Sequence, residues 1–356
     1  MPTAASQRQM LLLETKLHLP RLHASLISRE RLLAQLDAAL MHKLTLLAAP
    51  AGFGKTTLVR QWVADRVSSD TNCHYLPPLA WVSLDPGDND PARFWSYVIT
   101  ACQTFQAGIG QSTLAFLYTT LQPPFEPSPL EKVLTMFLNE LTQCMNSGIL
   151  VLEDYHVITS PLIHETVTFL LDHLPTTLHL IIMTRSDPSL PLARLRASGD
   201  LLELHAPDLR FSQEEMRTFL QQISPFPPSE KAIRQLDARL DGWAAALRLL
   251  ALTLQGCPSR QEVERTFVTF AGSHRSLQDY FVTEVLTAQP EPLRDFLLQT
   301  SMLSRLTGSL CDVVTTRSDS QYLLEALDRG GLFLESLDES GQWYRYHALF
   351  AESMQH

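Results

Sequence analysis

The segment Ala49-Pro50-Ala51-Gly52-Phe53-Gly54-Lys55-Thr56-Thr57 restricts the architectures open to this chain more than any other stretch. It follows directly on the apolar run Lys43-Leu44-Thr45-Leu46-Leu47-Ala48, which reads as a short buried strand. Small residues at such a turn let successive backbone N–H groups point into one concavity, and a helix starting just behind them adds the positive end of its dipole. That is a phosphate cradle, a P-loop. Ala51, Gly52, Phe53 and Gly54 form its wall, Lys55 reaches the β- and γ-phosphates, Thr56 ligates Mg²⁺, and Thr57 contacts the α-phosphate. The first glycine of the strict pattern is Ala49 here, which fits where φ is negative. The same residues would also make an empty glycine-rich turn, but the strand before them and the Lys-Thr-Thr helix start favour the phosphate reading.

The rest of the chain supplies the matching architecture. Leu32, Leu33, Leu36, Ala39 and Leu40 recur at helical spacing within 29–41, Thr56 to Val67 reads as a helix, and Leu79 to Leu84 reads as a strand. Asp90 and Pro91 are an N-cap and first-turn pair for a helix carrying Phe94, Trp95, Val98, Ile99, Cys102 and Phe105 on its core face. Two more apolar runs, Ile149–Leu152 and Leu178–Met183, flank a helical stretch at Leu162–Leu174, so strands and helices alternate. Alternation of this kind predicts a parallel sheet with helices on its faces.

After about residue 205 the strand-like runs give way to helical patterns, and Ser212 with Glu215 forms a capping box. The proline-rich stretches Leu121–Pro129 and Ile223–Ser229 read as surface loops. Near the end, Gly331–Leu337 and Gln342–His347 flank the turn Asp338–Gly341, a hairpin following helices and hence a winged helix. With 356 residues, several folding units are expected: an α/β P-loop domain over 1–205, a helical domain over 206–270, and a winged-helix domain over 271–356.

A phosphate cradle needs an acid at a neighbouring strand tip, and Ile149-Leu150-Val151-Leu152-Glu153-Asp154 supplies two. One carboxylate holds Mg²⁺ and its neighbour orients or deprotonates the attacking water. The usual first residue is Asp, so the division of labour between Glu153 and Asp154 stays open. Arg185 closes the next apolar strand, where a γ-phosphate sensor would sit; the alternative is a surface arginine paired with Asp187. Asp85, Asp88, Asn89 and Asp90 lack EF-hand spacing and, with Pro86 and Gly87, read as a capped turn.

Composition narrows the function. A net charge of −10 opposes direct DNA binding, which draws on Lys and Arg at the phosphate backbone. The five cysteines (Cys73, Cys102, Cys144, Cys257, Cys311) include no C-x-x-C pair and read as reduced thiols, and the twelve histidines show no metal-binding spacing. Met10-Leu11-Leu12-Leu13 is too short for a signal-peptide core and no apolar run has bilayer length, so a cytoplasmic protein without membrane partners is expected.

Taken together, these motifs resemble one group. Thr15-Lys16-Leu17, Ser28-Arg29-Glu30-Arg31-Leu32, the P-loop, Ser83-Leu84-Asp85 with Gly87-Asp88-Asn89-Asp90, and Glu153-Asp154-Tyr155-His156 come in the order found in the MalT-like, ATP-dependent LuxR-type regulators, signal-transducing ATPases with numerous domains (STAND). Thr184-Arg185, Asp241-Gly242-Trp243-Ala244-Ala245-Ala246-Leu247, Gly331–Leu334 and Tyr346-His347-Ala348-Leu349-Phe350 continue the resemblance. It implies a nucleotide-binding switch closed with ADP, opened by ATP for self-assembly, and reset by slow hydrolysis. It further implies that backbone near Ile27 and Ser28 holds adenine, that Arg29 lies near the nucleotide, and that His347 touches the β-phosphate of ADP. The family commonly has a proline where this chain has Ala244. Its helical-repeat sensor and helix-turn-helix have no counterpart here, so a fragment ending at His356 is expected, without the DNA-binding part.

The residues leave two rival readings: a P-loop enzyme with sustained turnover, such as a motor or phosphotransferase, and a scaffold with a degenerate P-loop. As an enzyme, the switch is expected to be at most a slow regulatory ATPase.

Overall fold

The computed structural model describes residues 11–21, 27–68, 76–120, 128–144, 146–224, 226, 228–257, 259–270, 274–287, 289–330, 332–338 and 340–355. Five strands form one parallel sheet: β1 (Leu44–Ala48), β2 (Leu79–Ser83), β3 (Gly148–Glu153), β4 (Leu178–Thr184) and β5 (Leu201–His205), in the order β2-β3-β4-β1-β5. Strands β1, β3 and β4 are buried along their whole length, which is why they appear in sequence as unbroken apolar runs.

Strand β5 was not expected from the sequence. It lies at the edge of the sheet, where only Leu204 is fully buried and Glu203 turns to an ion pair with Arg196 at 2.6 Å, so its apolar signal is diluted.

The register decides where the chemistry gathers. Ala48 pairs with Thr184 and Leu152 with Ile182 in parallel, so the loop after β1, the Glu153 tip of β3 and Arg185 after β4 all emerge at the carboxyl edge.

Helices α1 (Glu30–Ala39) and α2 (Lys55–Ser68) share a core with one face of the sheet, represented by Leu47, Trp81, Val151 and Met183. The opposite face, with Leu46, Val82, Leu150 and Ile182, packs in the core of α3 (Pro91–Ala101), α4 (Gln111–Thr120), α5 (Ser128–Cys144), α6 (Pro161–Asp172) and α7 (Leu192–Ser198). The expected aromatic face of α3 is buried, and the Asp90 side chain accepts the Arg93 amide at 2.8 Å as its N-cap. Such a cap contributes roughly 1 kcal/mol.

Past the sheet, the chain continues as α8 (Ala206–Leu209), α9 (Gln213–Ile223), α10 (Glu230–Leu240), α11 (Ala244–Leu254), α12 (Arg260–Thr269) and α13 (Arg275–Phe281), which runs into a π-turn at Val282–Leu286. Then come α14 (Glu291–Thr300), α15 (Gly308–Thr315), α16 (Ser320–Arg329), the antiparallel hairpin β6 (Leu334–Ser336) and β7 (Tyr344–Tyr346), and α17 (Ala348–Met354). The fold is an α/β P-loop domain followed by helical and winged-helix parts, and one continuous core joins them to the α1–α2 face of the sheet.

The Ser212–Glu215 box closes reciprocally, at 3.1 and 2.9 Å. In the hairpin turn the Asp338 carboxylate accepts the amides of Gln342 and Trp343 at 3.0 and 2.9 Å.

Several expectations fall outside the described residues: Met10, Cys73, the loop at 121–127, Pro225, Pro227, Gly331, Glu339, His356 and the side chain of Cys144. Cys102, Cys257 and Cys311 are free thiols. Among the described residues no helix is long and apolar enough to cross a membrane.

Candidate functional site

The turn between β1 and α2 takes positive φ at Gly52 (79°) and Gly54 (81°), a conformation in which a side chain is strained. Ala49 is not among the positive-φ residues, so its methyl group is accommodated. Among the described residues, no backbone or side-chain acceptor takes the amides of 51–54, and the first amides of α2 lie immediately behind them.

The Lys55 ammonium folds over the loop and donates to Ala49 O at 2.6 Å and Pro50 O at 3.1 Å. Burial pulls its pKa down to about 8, opposed by the charges of Asp154 and Glu153 and reinforced by Arg185. These four sequence-predicted groups therefore share one electrostatic neighbourhood.

Thr56 Oγ1 donates to Glu153 Oε1 at 2.6 Å, while Ser83 Oγ (2.6 Å) and Trp81 Nε1 (3.1 Å) hold Glu153 Oε2. The Glu153 carboxylate is thus buried among neutral donors. Asp154 has φ 57°, and burial followed by repulsion from Glu153 raises its pKa despite Lys55 and Arg185. Arg185 donates to the Glu284 carbonyl in the π-turn at 3.3 Å; Asp187, its alternative partner from sequence, instead lies 3.8 Å from Arg196.

Beside the loop is a mainly apolar cavity of about 210 Å³, bordered by Ile27, Gly54, Thr57, Gln61, Phe211 and Leu247, with Arg29, Phe219, Ala244 and Arg248 also on its wall. Whole small-molecule sites occupy roughly 300–1,000 Å³, so this space has room for only part of a small ligand.

Ile27 is on this wall, whereas Ser28 is exposed and is not on it. Arg29 has most of its donors committed: to Leu209 O (2.9 Å), Arg210 O (2.6 Å) and both Glu215 carboxylate oxygens (3.2 Å each). Its guanidinium also lies 4.5 Å from the Phe211 ring centre, so it ties the segment before α1 to the helical part.

Gln61 was missed from sequence, although it stands one turn beyond Thr57 on the same face of α2; its Nε2 donates to Ile27 O at 2.7 Å. Trp81 and Ser83 had no local signal, because β3 alone brings Glu153 to them. Gly242, at φ 65°, lies against the Phe211 backbone and leads into Ala244, which reaches the cavity.

His347 is buried (7% exposed), and neither ring nitrogen has a hydrogen-bond partner among the described residues. Burial lowers its pKa to about 4, with Glu335 opposing, so the ring is neutral at pH 7.

The Asp85–Asp90 turn is capped and charge-neutralised. Asp85 accepts the Gly87 amide at 2.8 Å, Lys16 bonds both Asp85 (3.0 Å) and Asp88, and Arg93 bonds Asp88 at 2.9 Å. Asn89 ties this turn to the loop after β3 through Val157 O (2.8 Å) and the Thr159 amide (2.7 Å).

The family model described as the MalT winged helix domain matches residues 282–356. HTH-type transcriptional regulators MalT from Cronobacter sakazakii and Serratia proteamaculans are each 36% identical, over 343 and 342 residues respectively. Each of these alignments covers 96% of this chain, which spans 36% of the length of those relatives.

Among solved structures, a signal transduction ATPase with numerous domains and a tetratricopeptide repeat sensor, from Pyrococcus horikoshii, matches with TM-score 0.46 and 15% identity, covering 94% of this chain and 43% of that one. The ORC1 protein of Aeropyrum pernix matches with TM-score 0.43 and 13% identity over 93% of each chain. With a MalT-type winged helix, a P-loop sheet and 36% identity to MalT proteins along nearly its whole length, the chain is MalT-like.

Proposed function

We propose that this chain is the ATP/ADP-responsive switch of a signal-responsive, cytoplasmic transcriptional regulator, closed with ADP and opened by ATP for self-assembly. Its working parts are a P-loop domain over 1–205, a helical domain over 206–270 and a winged-helix domain over 271–356. The observation that carries this reading is the cavity beside the loop. Gly54 and Thr57 border it from the P-loop side, and Phe211, Phe219, Ala244 and Leu247 from the helical side. A ligand touching both sides favours the arrangement that supplies both sets of contacts.

The chain's own residues fit a nucleotide. The amides of 51–54 and Lys55 take the phosphates, Thr57 the α-phosphate, and Ile27 with Gln61 and Phe211 the base. Mg²⁺, when bound, neutralises phosphate charge, and Thr56 with Glu153 is the pair suited to hold it, already joined at 2.6 Å. Asp154, with its raised pKa, then orients the attacking water and accepts its proton. Arg185 senses the γ-phosphate, and its bond to Glu284 O links that sensing to the winged-helix side. His347, neutral and buried beside Trp243, is suited to donate to the β-phosphate of ADP. Hydrolysis serves as a slow reset.

Calorimetric titration of ADP and ATP, with and without Mg²⁺, tests the reading. Lys55→Ala should weaken both by roughly a hundredfold, the value of a charged hydrogen bond to phosphate. Equal binding by wild type and variant, or none by either, removes the proposal. Rapid sustained phosphate release under excess ATP would identify a turnover enzyme instead.

A further inference from the structure

Trp243 is wholly buried at the N-cap of α11, and its neighbours come from several distant parts of the chain. Its indole Nε1 donates to Ala51 O at 3.2 Å, across 192 residues. The ring stacks on Phe281 (centres 5.0 Å apart), meets Tyr280 and Phe333 edge-on at 5.3 and 5.2 Å, and lies 6.1 Å from His347. Two residues on, the Ala245 amide donates to Gly52 O at 2.9 Å. Gly52 is pressed so closely that an added Cβ would lie 2.6 Å from Ala245 Cβ, 2.7 Å from Trp243 Nε1 and 2.8 Å from Tyr280 Oη.

Peptide geometry gives these contacts a consequence. In a planar trans peptide the C=O of one residue and the N–H of the next point in opposite directions. Holding Ala51 O against the indole therefore turns the Gly52 amide to the opposite face, and holding Gly52 O against Ala245 does the same to the Phe53 amide. Neither amide has an acceptor among the described residues. A tryptophan that only filled a core would need its ring, with any buried acceptor serving its N–H. Here the acceptor is a carbonyl of the phosphate loop itself.

We propose that Trp243 is a positioning residue for the phosphate loop. With Ala245 it orients the Gly52 and Phe53 amides, and through its ring it joins the loop to Phe333 and His347 of the winged-helix part. The proposal rests on the nucleotide reading above and adds what sets the cradle's geometry and connects it to the far domain.

The test uses the full chain with ADP and Mg²⁺ as the probe, reading ADP dissociation by stopped flow and thermal unfolding without nucleotide. Trp243→Phe keeps an aromatic ring and deletes the N–H. Trp95→Phe is the control, since it deletes an equivalent buried bond, Nε1 to Thr166 Oγ1 at 3.1 Å, on the other side of the sheet. ADP should leave the Trp243 variant about five- to tenfold faster, the effect of losing one hydrogen bond's worth of orientation, and leave the Trp95 variant at the wild-type rate.

If Trp243→Phe does not fold, the sulfur isostere β-(3-benzothienyl)alanine at position 243 keeps the bicyclic shape without the N–H and should give the same acceleration. Wild-type dissociation from either 243 variant overturns the proposal and leaves the nucleotide reading standing, and so does equal acceleration at positions 95 and 243. Absence of ADP binding by the wild-type chain overturns both.

Discussion

Two neighbouring strand ends in this molecule gather carboxylates, and they treat them in opposite ways. After β2, Asp85 and Asp88 are met by the cations Lys16 and Arg93, and Asp88 is fully buried within that ion-pair network. After β3, the hydrogen bonds to Glu153 among the described residues come from the neutral donors Thr56, Ser83 and Trp81, while burial and Glu153 push the Asp154 pKa up. The first cluster is internally neutral and holds the segment containing Lys16 to the sheet. The second keeps its charge unmatched at direct contact, which suits it to a cation and a proton. An acidic cluster is thus better judged by what already touches it than by how many acids it contains.

This contrast can be broken experimentally. Asp88→Ala strips Lys16 and Arg93 of their buried partner. It should destabilise the chain by about 3 kcal/mol, the lower end for breaking a buried pair because Asp85 remains near Lys16. Chemical denaturation measures that loss, and the nucleotide affinity of the folded protein should be unchanged; a drop in affinity would mean the two clusters are coupled.

At the other cluster, Asp154→Asn tolerates the left-handed backbone and removes the proton acceptor. ATP hydrolysis should slow about a hundredfold or more with binding intact. Glu153→Gln should instead reduce the Mg²⁺ enhancement of ATP affinity by roughly tenfold. If the two variants exchange these phenotypes, the assignment of metal to Glu153 and water to Asp154 is reversed.

The smallest effect concerns pH. Lys55 titrates at about 8 in the folded chain because burial penalises its charge. Phosphate favours the protonated amine, so above about pH 8 binding must first restore the proton, and ADP affinity should fall by up to about tenfold per pH unit. Affinity flat from pH 7 to 10 would show that Lys55 keeps its charge or makes no contact.

Much of this was legible in sequence because the signals are local. The P-loop, the Asp90 cap, the Ser212–Glu215 box, the buried strands and the hairpin each lie within a short window, where periodicity and capping chemistry act. The acids and Arg185 could also be placed at one sheet edge, since alternating strands and helices imply a parallel sheet. Strand β5 escaped because an edge strand buries too little to show its period. The ties of Arg29 escaped for a related reason: its partners Leu209, Arg210 and Glu215 lie some 180 residues away.

The sequence by itself determined which residues could cradle a phosphate and which segments would become strands, helices and a wing. Tertiary structure alone decided the order β2-β3-β4-β1-β5, the neutral donors around Glu153, the cavity shared by α2 and α11, and the approach of Trp243 to Ala51. The reason is physical: backbone periods are set by neighbours along the chain, whereas a contact across 192 residues exists only where the burial of a shared core brings both ends together.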